Sequence, residues 1–425
     1  MYACAFLEDF VLLYPVYALL FADTGLSPAA ISSLFVIWAV AGFVFELPSG
    51  VLADVVSRRL LLVAAPLLTG AGFALWTLVP SYPAFAAGFV LWGVGTALRS
   101  GSLQALVYQE LARVGAAGSY ARVMGRSQAL GTTAIMLANG VAAPVMAAGG
   151  YRAVGVASVV ACVLCAVAAW SLPESRGERA RASPGEGADA SPDADADEGA
   201  GSGEGAGSGE GAGSGEGGGE GPFLEVLRDG VAQVRRVPPV RGALVLTMAV
   251  MGFGALDEYL PMLGRSTVAA AAAAVPVLML VVGVGETAGG WLAGRGVRWL
   301  APALLVAAVC LAAGALSGRP EGMVLVAVAF GVIQWAIVAV EARLQERISD
   351  RSRATVMSMA GFGAEVVAVL VFAGYALGSV WAGPGVLFAV ASVPFVVMGL
   401  VLWAPVRAPA GVVGRVVGRV LGRRR

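Results

Sequence analysis

A few charged side chains stand inside stretches that are otherwise apolar: Glu8 and Asp9, Glu46, Arg99, Asp257 and Glu258, Glu286, and Glu365. Burying a charge in a bilayer is costly unless it is paired or faces water, so residues kept there are candidates for function. Their chemistry is narrow. The chain contains neither histidine nor lysine, so a side chain that carries a proton has to be a carboxylate, a tyrosine or a cysteine. Glu365 is the first candidate carrier, followed by Glu286 and then by Glu8 with Asp9. Glu365 is expected near the middle of its span and Glu286 somewhat nearer the cytoplasmic end, and no arginine of the second half shares their depth to neutralise them. Arg99, Asp257 and Glu258 are candidates for a cavity ion pair or a substrate contact, the last two expected toward the outer mouth, where water would solvate them. At a rise of about 1.5 Å per residue, Glu8, Asp9 and Arg99 each stand roughly 10 Å inside their helix ends. A pair between Arg99 and either acid is therefore open, and it reads equally as a structural lock between two helices or as a proton-linked gate.

The elements that must position these residues are membrane helices. With 58% hydrophobic and only 13% charged residues, the chain has too little polar surface for a soluble protein of 425 residues. A formal net charge of zero offers no electrostatic case for a nucleic-acid partner. Windows of about 20 apolar residues predict twelve spans near 3–21, 28–50, 60–80, 83–107, 123–147, 151–171, 241–263, 267–293, 299–317, 322–344, 355–379 and 384–405. Arg58, Arg59, Arg113, Arg122, Arg126, Arg295, Arg298, Arg343, Arg347, Arg351 and Arg353 fall on one side, while the other side offers Arg152, Arg265 and Arg319. By the positive-inside rule both termini are expected in the cytoplasm. Cys162 and Cys165 resemble a redox or metal pair in spacing, but within a span they read as small packing residues, and no cofactor or metal is expected.

Between the spans lies Gly50-Val51-Leu52-Ala53-Asp54-Val55-Val56-Ser57-Arg58-Arg59, a short charged turn. It resembles the loop between the second and third helices of the major facilitator superfamily, whose pattern is Gly-x-Leu-Ala-Asp-Arg-x-Gly-Arg-Arg; here Val55 and Ser57 replace the first Arg and the second Gly. The glycine suits close helix approach, Asp54 suits a helix cap, and the arginines suit a cytoplasmic loop. Gly290-Trp291-Leu292-Ala293-Gly294-Arg295-Gly296-Val297-Arg298 echoes the turn without its acid, and Ser352-Arg353-Ala354-Thr355-Val356-Met357 echoes Tyr120-Ala121-Arg122-Val123-Met124-Gly125. Leu98-Arg99-Ser100-Gly101-Ser102-Leu103 and the run to Glu110 resemble the fourth helix of a prokaryotic exporter branch of the superfamily, with Gln109 where an Asp is common.

That resemblance implies an all-α integral membrane protein with twelve helices in two pseudo-symmetric halves rocking about a central site. The halves are expected at 1–175 and 239–406. Residues 176–238 form the linker between them, with a Gly/Ser/Glu-rich stretch at 184–221 that cannot bury a core and an amphipathic segment at 223–236; residues 407–425 form a basic tail. It further implies a transporter rather than an enzyme, monomeric, in a bacterial inner membrane. Its partners would be a small-molecule substrate, protons and the lipid bilayer. Gly50, Asp54, Arg58 and Arg59 would act as a conformational switch. Proton-coupled export of a small amphipathic organic compound is the first reading and proton-coupled uptake of a nutrient the second. A non-transporting receptor or scaffold is the remote third.

Overall fold

Every regular element among the described residues is a helix. The structure, a computed structural model, describes residues 1–172, 234–268, 272–292, 296–348 and 353–403. The helices are α1 (Tyr2–Asp9), α2 (Tyr17–Asp23), α3 (Pro28–Val55), α4 (Arg58–Leu78), α5 (Tyr82–Arg113), α6 (Tyr120–Trp170), α7 (Pro238–Gly254), α8 (Leu260–Thr267), α9 (Val275–Trp291), α10 (Leu300–Leu316), α11 (Gly322–Gln345), α12 (Arg353–Gly378), α13 (Pro384–Ala391) and α14 (Val393–Trp403). The linker stretch 184–221, most of the segment 223–236 and the tail 407–425 lie outside the described residues.

Seven of the described helical runs are each long and apolar enough to cross a bilayer, and α9 and α10 are shorter apolar helices. The twelve crossings do not map one to one onto helices, for local reasons. The first span, expected to be continuous, is broken into α1 and α2 by Pro15, which lacks a backbone N–H. Inside the break the Leu13 N–H donates to Ser158 Oγ at 3.0 Å, so a side chain from α6 satisfies the released backbone. The seventh crossing is interrupted in the same way: α7 ends at Gly254, a tight 3₁₀ turn spans Ala255–Tyr259, and Pro261 opens α8. Conversely α6 supplies both the fifth and the sixth crossing. The chain reverses at Gly150, whose φ of 60° and ψ of −158° lie in a region that essentially only glycine adopts.

Two helix starts show how sequence sets the ends. Ser27 Oγ accepts the Ala30 N–H at 3.2 Å with Pro28 beginning α3, and Ser57 Oγ accepts the Leu60 N–H at 3.3 Å to cap α4. Ser57 is thus the cap of α4. The backbone of Asp54 lies in the last turn of α3.

Helices α1 to α6 pack on one another, as do α7 to α14, and the two halves meet where α3 lies against α12, α6 against α9 and α2 against α8. The outer surface is apolar, with Leu370, Leu377, Val309 and Val401 exposed. Trp170, Trp291, Trp299, Trp381 and Trp403, all exposed, stand at or near helix ends, the placement expected of an interfacial aromatic belt. The chain is a multi-pass membrane protein.

Candidate functional site

The two halves enclose a cavity of about 1140 Å³. From the first half its wall takes Trp38, Phe43 and Glu46 of α3 and Thr96 and Ser100 of α5. From the second it takes Asp257 and Glu258 of the 3₁₀ turn, Glu286 of α9, Phe330 and Gln334 of α11, and Thr355, Ser358, Phe362, Glu365 and Phe372 of α12. The acids are held there by the backbone features already described. The turn after α7 carries Asp257 and Glu258 inward, while α3 and α12 meet with Glu46 and Glu365 on their cavity sides. Glu365 lies within electrostatic range of Glu46, and Glu286 within range of Asp257. Among the described residues no arginine lines the cavity, and no ion pair reaches Asp257, Glu258, Glu286 or Glu365. Glu365 and Asp257 are exposed although both sit deep in the protein, because the surface they present is that of the cavity.

At one end the cavity approaches a face of the protein. Its lining runs to Glu46, Thr355 and Ser358, toward the end of α3 that leads to Arg58 and Arg59 and the start of α12 at Arg353. Toward the opposite face it is closed by a seal between the halves. The Ser32 and Tyr259 hydroxyls are 2.6 Å apart in a hydrogen bond. Phe35 meets Tyr259 edge-on at 5.3 Å and lies 5.4 Å from Phe372, and Tyr375 stacks on Tyr259 at 3.6 Å. Phe35 and Tyr259 are both completely buried. On the same face Tyr151 donates to Asp23 Oδ2 at 2.6 Å, tying α6 to α2.

Of the residues singled out from sequence, Glu286, Glu365, Asp257 and Glu258 share the cavity. Asp257 and Glu258 do not sit in a solvated outer mouth as expected. They lie beneath the seal, immediately before Tyr259, and face inward. Arg99 pairs with Glu8, and neither residue is on the cavity wall. Asp9 lies beside them with its carboxylate against Gly131 of α6. The Arg99 cluster is therefore a contact within the first half between α1 and α5, separate from the cavity acids. Arg59 lies over the Trp170 ring, 5.3 Å from its centre, which docks the start of α4 onto the end of α6. The surroundings of Gly50 and the side chain of Asp54 lie outside what the structure describes. Sequence reasoning counted Glu46 among the buried charges but gave it no role, and missed Ser32, Tyr259 and Gln334 altogether. For those three the only signal was a polar group in an apolar run, which serine and tyrosine supply at many positions.

The family profile described as Major Facilitator Superfamily matches residues 1–346. No curated protein matches the chain in sequence. Among solved structures, the nucleoside transporter NupG superposes with a TM-score of 0.66 at 12% identity, covering 95% of this chain and 96% of that one. A D-xylose-proton symporter gives 0.62 at 14% identity, covering 96% of this chain and 97% of that one. A bacterial homologue of the human lysosomal transporter Spinster, solved inward-facing and unoccupied, gives 0.62 at 16% identity, covering 95% and 94%.

Proposed function

Because the chain belongs to the Major Facilitator Superfamily, we propose that this transporter is proton-coupled and exports a small amphipathic organic compound by alternating access. The observation that carries the proposal is the cavity: it lies between the halves, it approaches one face and is sealed at the other, and its wall combines carboxylates with aromatic rings. Read as the open face, the one it approaches is cytoplasmic by its arginines, as are both termini, and the protein works as a monomer in a bacterial inner membrane.

The coupling follows from the cost of enclosing charge. Closing the open face around Glu46, Asp257, Glu258, Glu286 and Glu365 with no counter-charge would bury several carboxylates unpaired. Protons or a substrate that neutralises them removes that cost, so the occupied cavity changes its facing state more readily than the empty, ionised one. Glu365 and Glu286 are the proton carriers in this scheme, being central in the wall and open to cavity water. Glu8 and Asp9 act on the first half through Arg99. Asp54, Arg58 and Arg59 bias one facing state at the junction of α3 and α4, with Arg59 held against Trp170.

A growth-inhibition panel with and without the overexpressed protein identifies a substrate, and purified protein in vesicles then tests the mechanism under an imposed pH gradient. Export coupling predicts accumulation in vesicles acidified inside, and Glu365→Gln abolishes that accumulation while substrate still binds. Accumulation driven only by an acid exterior would establish uptake instead. If Glu365→Gln, Glu286→Gln and the double change Glu8→Gln with Asp9→Asn all keep full gradient-driven transport, these carboxylates are not the proton carriers; transport by the unaltered protein that ignores a pH gradient of either sign refutes proton coupling itself.

A further inference from the structure

We propose that the cavity selects lipophilic organic cations, molecules that carry one delocalised positive charge on an aromatic frame. This rests on reading the cavity as the substrate site and adds the sign and character of what enters it.

The charge argument is one of balance. Five carboxylates, from Glu46, Asp257, Glu258, Glu286 and Glu365, face one space, and among the described residues no basic side chain lines it. The chain cannot supply a lysine or histidine from anywhere, and the arginine nearest in sequence to the wall residues Ala97 and Ser100, Arg99, is engaged with Glu8. An anion entering this space meets only like charge, and a low-dielectric wall strengthens that repulsion. A cation supplies the missing counter-charge. Glu258 is half-buried on the cavity wall and has no ion-pair partner among the described residues, so a ligand is what can complete it.

The remaining wall decides which cation. Trp38, Phe43, Phe330, Phe362 and Phe372 line the same space, and several of them are braced by other rings. Trp38 stacks on Trp92 at 4.9 Å, and Phe43 of the first half meets Phe362 of the second at 5.2 Å. Aromatic faces attract weakly hydrated cations and offer little to a small, strongly hydrated one. Among the described residues no three acids come together to hold one metal ion, and the uncharged polar groups on the wall, Thr96, Ser100, Gln334, Thr355 and Ser358, are outnumbered there by apolar and aromatic ones. Acids spread in depth give the cation a path. Glu46 stands nearest the open end, Glu365 and Glu286 midway, and Asp257 with Glu258 deepest, adjoining the Tyr259 seal.

The test is equilibrium binding to the full chain in lipid nanodiscs at pH 8, with protein-free discs subtracted. The probes are tetraphenylphosphonium, tetraphenylborate and triphenylphosphine oxide, which hold similar aromatic frames and differ in charge. The expected result is phosphonium binding at least tenfold tighter than either other probe. Asp257→Asn with Glu258→Gln, and separately Glu286→Gln, should weaken it about tenfold, with folding checked by thermal unfolding. Glu321→Gln, an exposed acid beside the start of α11, should leave it unchanged. Equal binding of the borate or the oxide, no phosphonium binding, or phosphonium binding indifferent to the wall substitutions overturns the proposal. Binding needs neither gradient nor turnover. Cation binding without gradient-driven transport therefore refutes only the coupling scheme, whereas gradient-driven transport of some other compound without cation binding refutes only the substrate class.

Discussion

Removing one oxygen from the seal should open the protein measurably. In Tyr259→Phe the ring keeps its contacts with Phe35, Phe372 and Tyr375, and only the hydrogen bond to Ser32 is lost. Ser32 is not orphaned by that change, because its hydroxyl also reaches the Pro28 carbonyl at 2.9 Å. The cost to the sealed state is therefore the net worth of one hydrogen bond, about 0.5–1.5 kcal/mol. That shifts the ratio of open to sealed forms roughly 2- to 12-fold. Ser32→Ala acts on the same bond from the other side with a larger effect. It leaves the hydroxyl of a fully buried Tyr259 without its partner, which costs about 1–3 kcal/mol and shifts the ratio roughly 5- to 150-fold. The assay is the distance distribution between spin labels at Ser81 and Arg319, which stand in the loops of the two halves on the sealed face. Longer distances should gain population in the order wild type, Tyr259→Phe, Ser32→Ala. Unchanged distributions in both variants, or the reverse order, would show that this hydrogen bond does not hold the face closed.

Three further perturbations address the frame around the cavity. Gly150→Ala forces a side chain into a backbone region reserved for glycine, so it should destabilise the protein by about 1–3 kcal/mol in thermal unfolding. Gly289→Ala places a methyl group against the Gly331 carbonyl where α9 and α11 touch; the helices must separate, at about 1–3 kcal/mol, and a detergent melt should show the loss. Asp54→Asn should lower vesicle transport while expression and membrane insertion persist, with altered cysteine accessibility on the two faces. Normal transport with unchanged accessibility would make the turn a topological anchor and no more.

The apolar spans and the inventory of acids within them could be read from the chain because they depend on residue type and on sums along it. A bilayer punishes charge and unpaired backbone wherever they occur, so hydropathy alone separates the spans, and the absence of histidine and lysine limits proton chemistry to a few residues whatever the packing. Even the Glu8–Arg99 contact was foreshadowed by matching depths. Facing and partnership were not legible. Asp257 and Glu258 stand toward the sealed face, where they are roofed over by a hydrogen bond between residues 227 positions apart, which no local pattern encodes. Arg99 and Glu286 look alike as buried charges, but packing gives one a partner and leaves the other on the cavity wall. Depth accumulates one helical rise at a time and so belongs to the sequence. Which side of a helix meets a neighbour, and which meets water, depends on how two separately wound halves come together, and only the tertiary structure decides that.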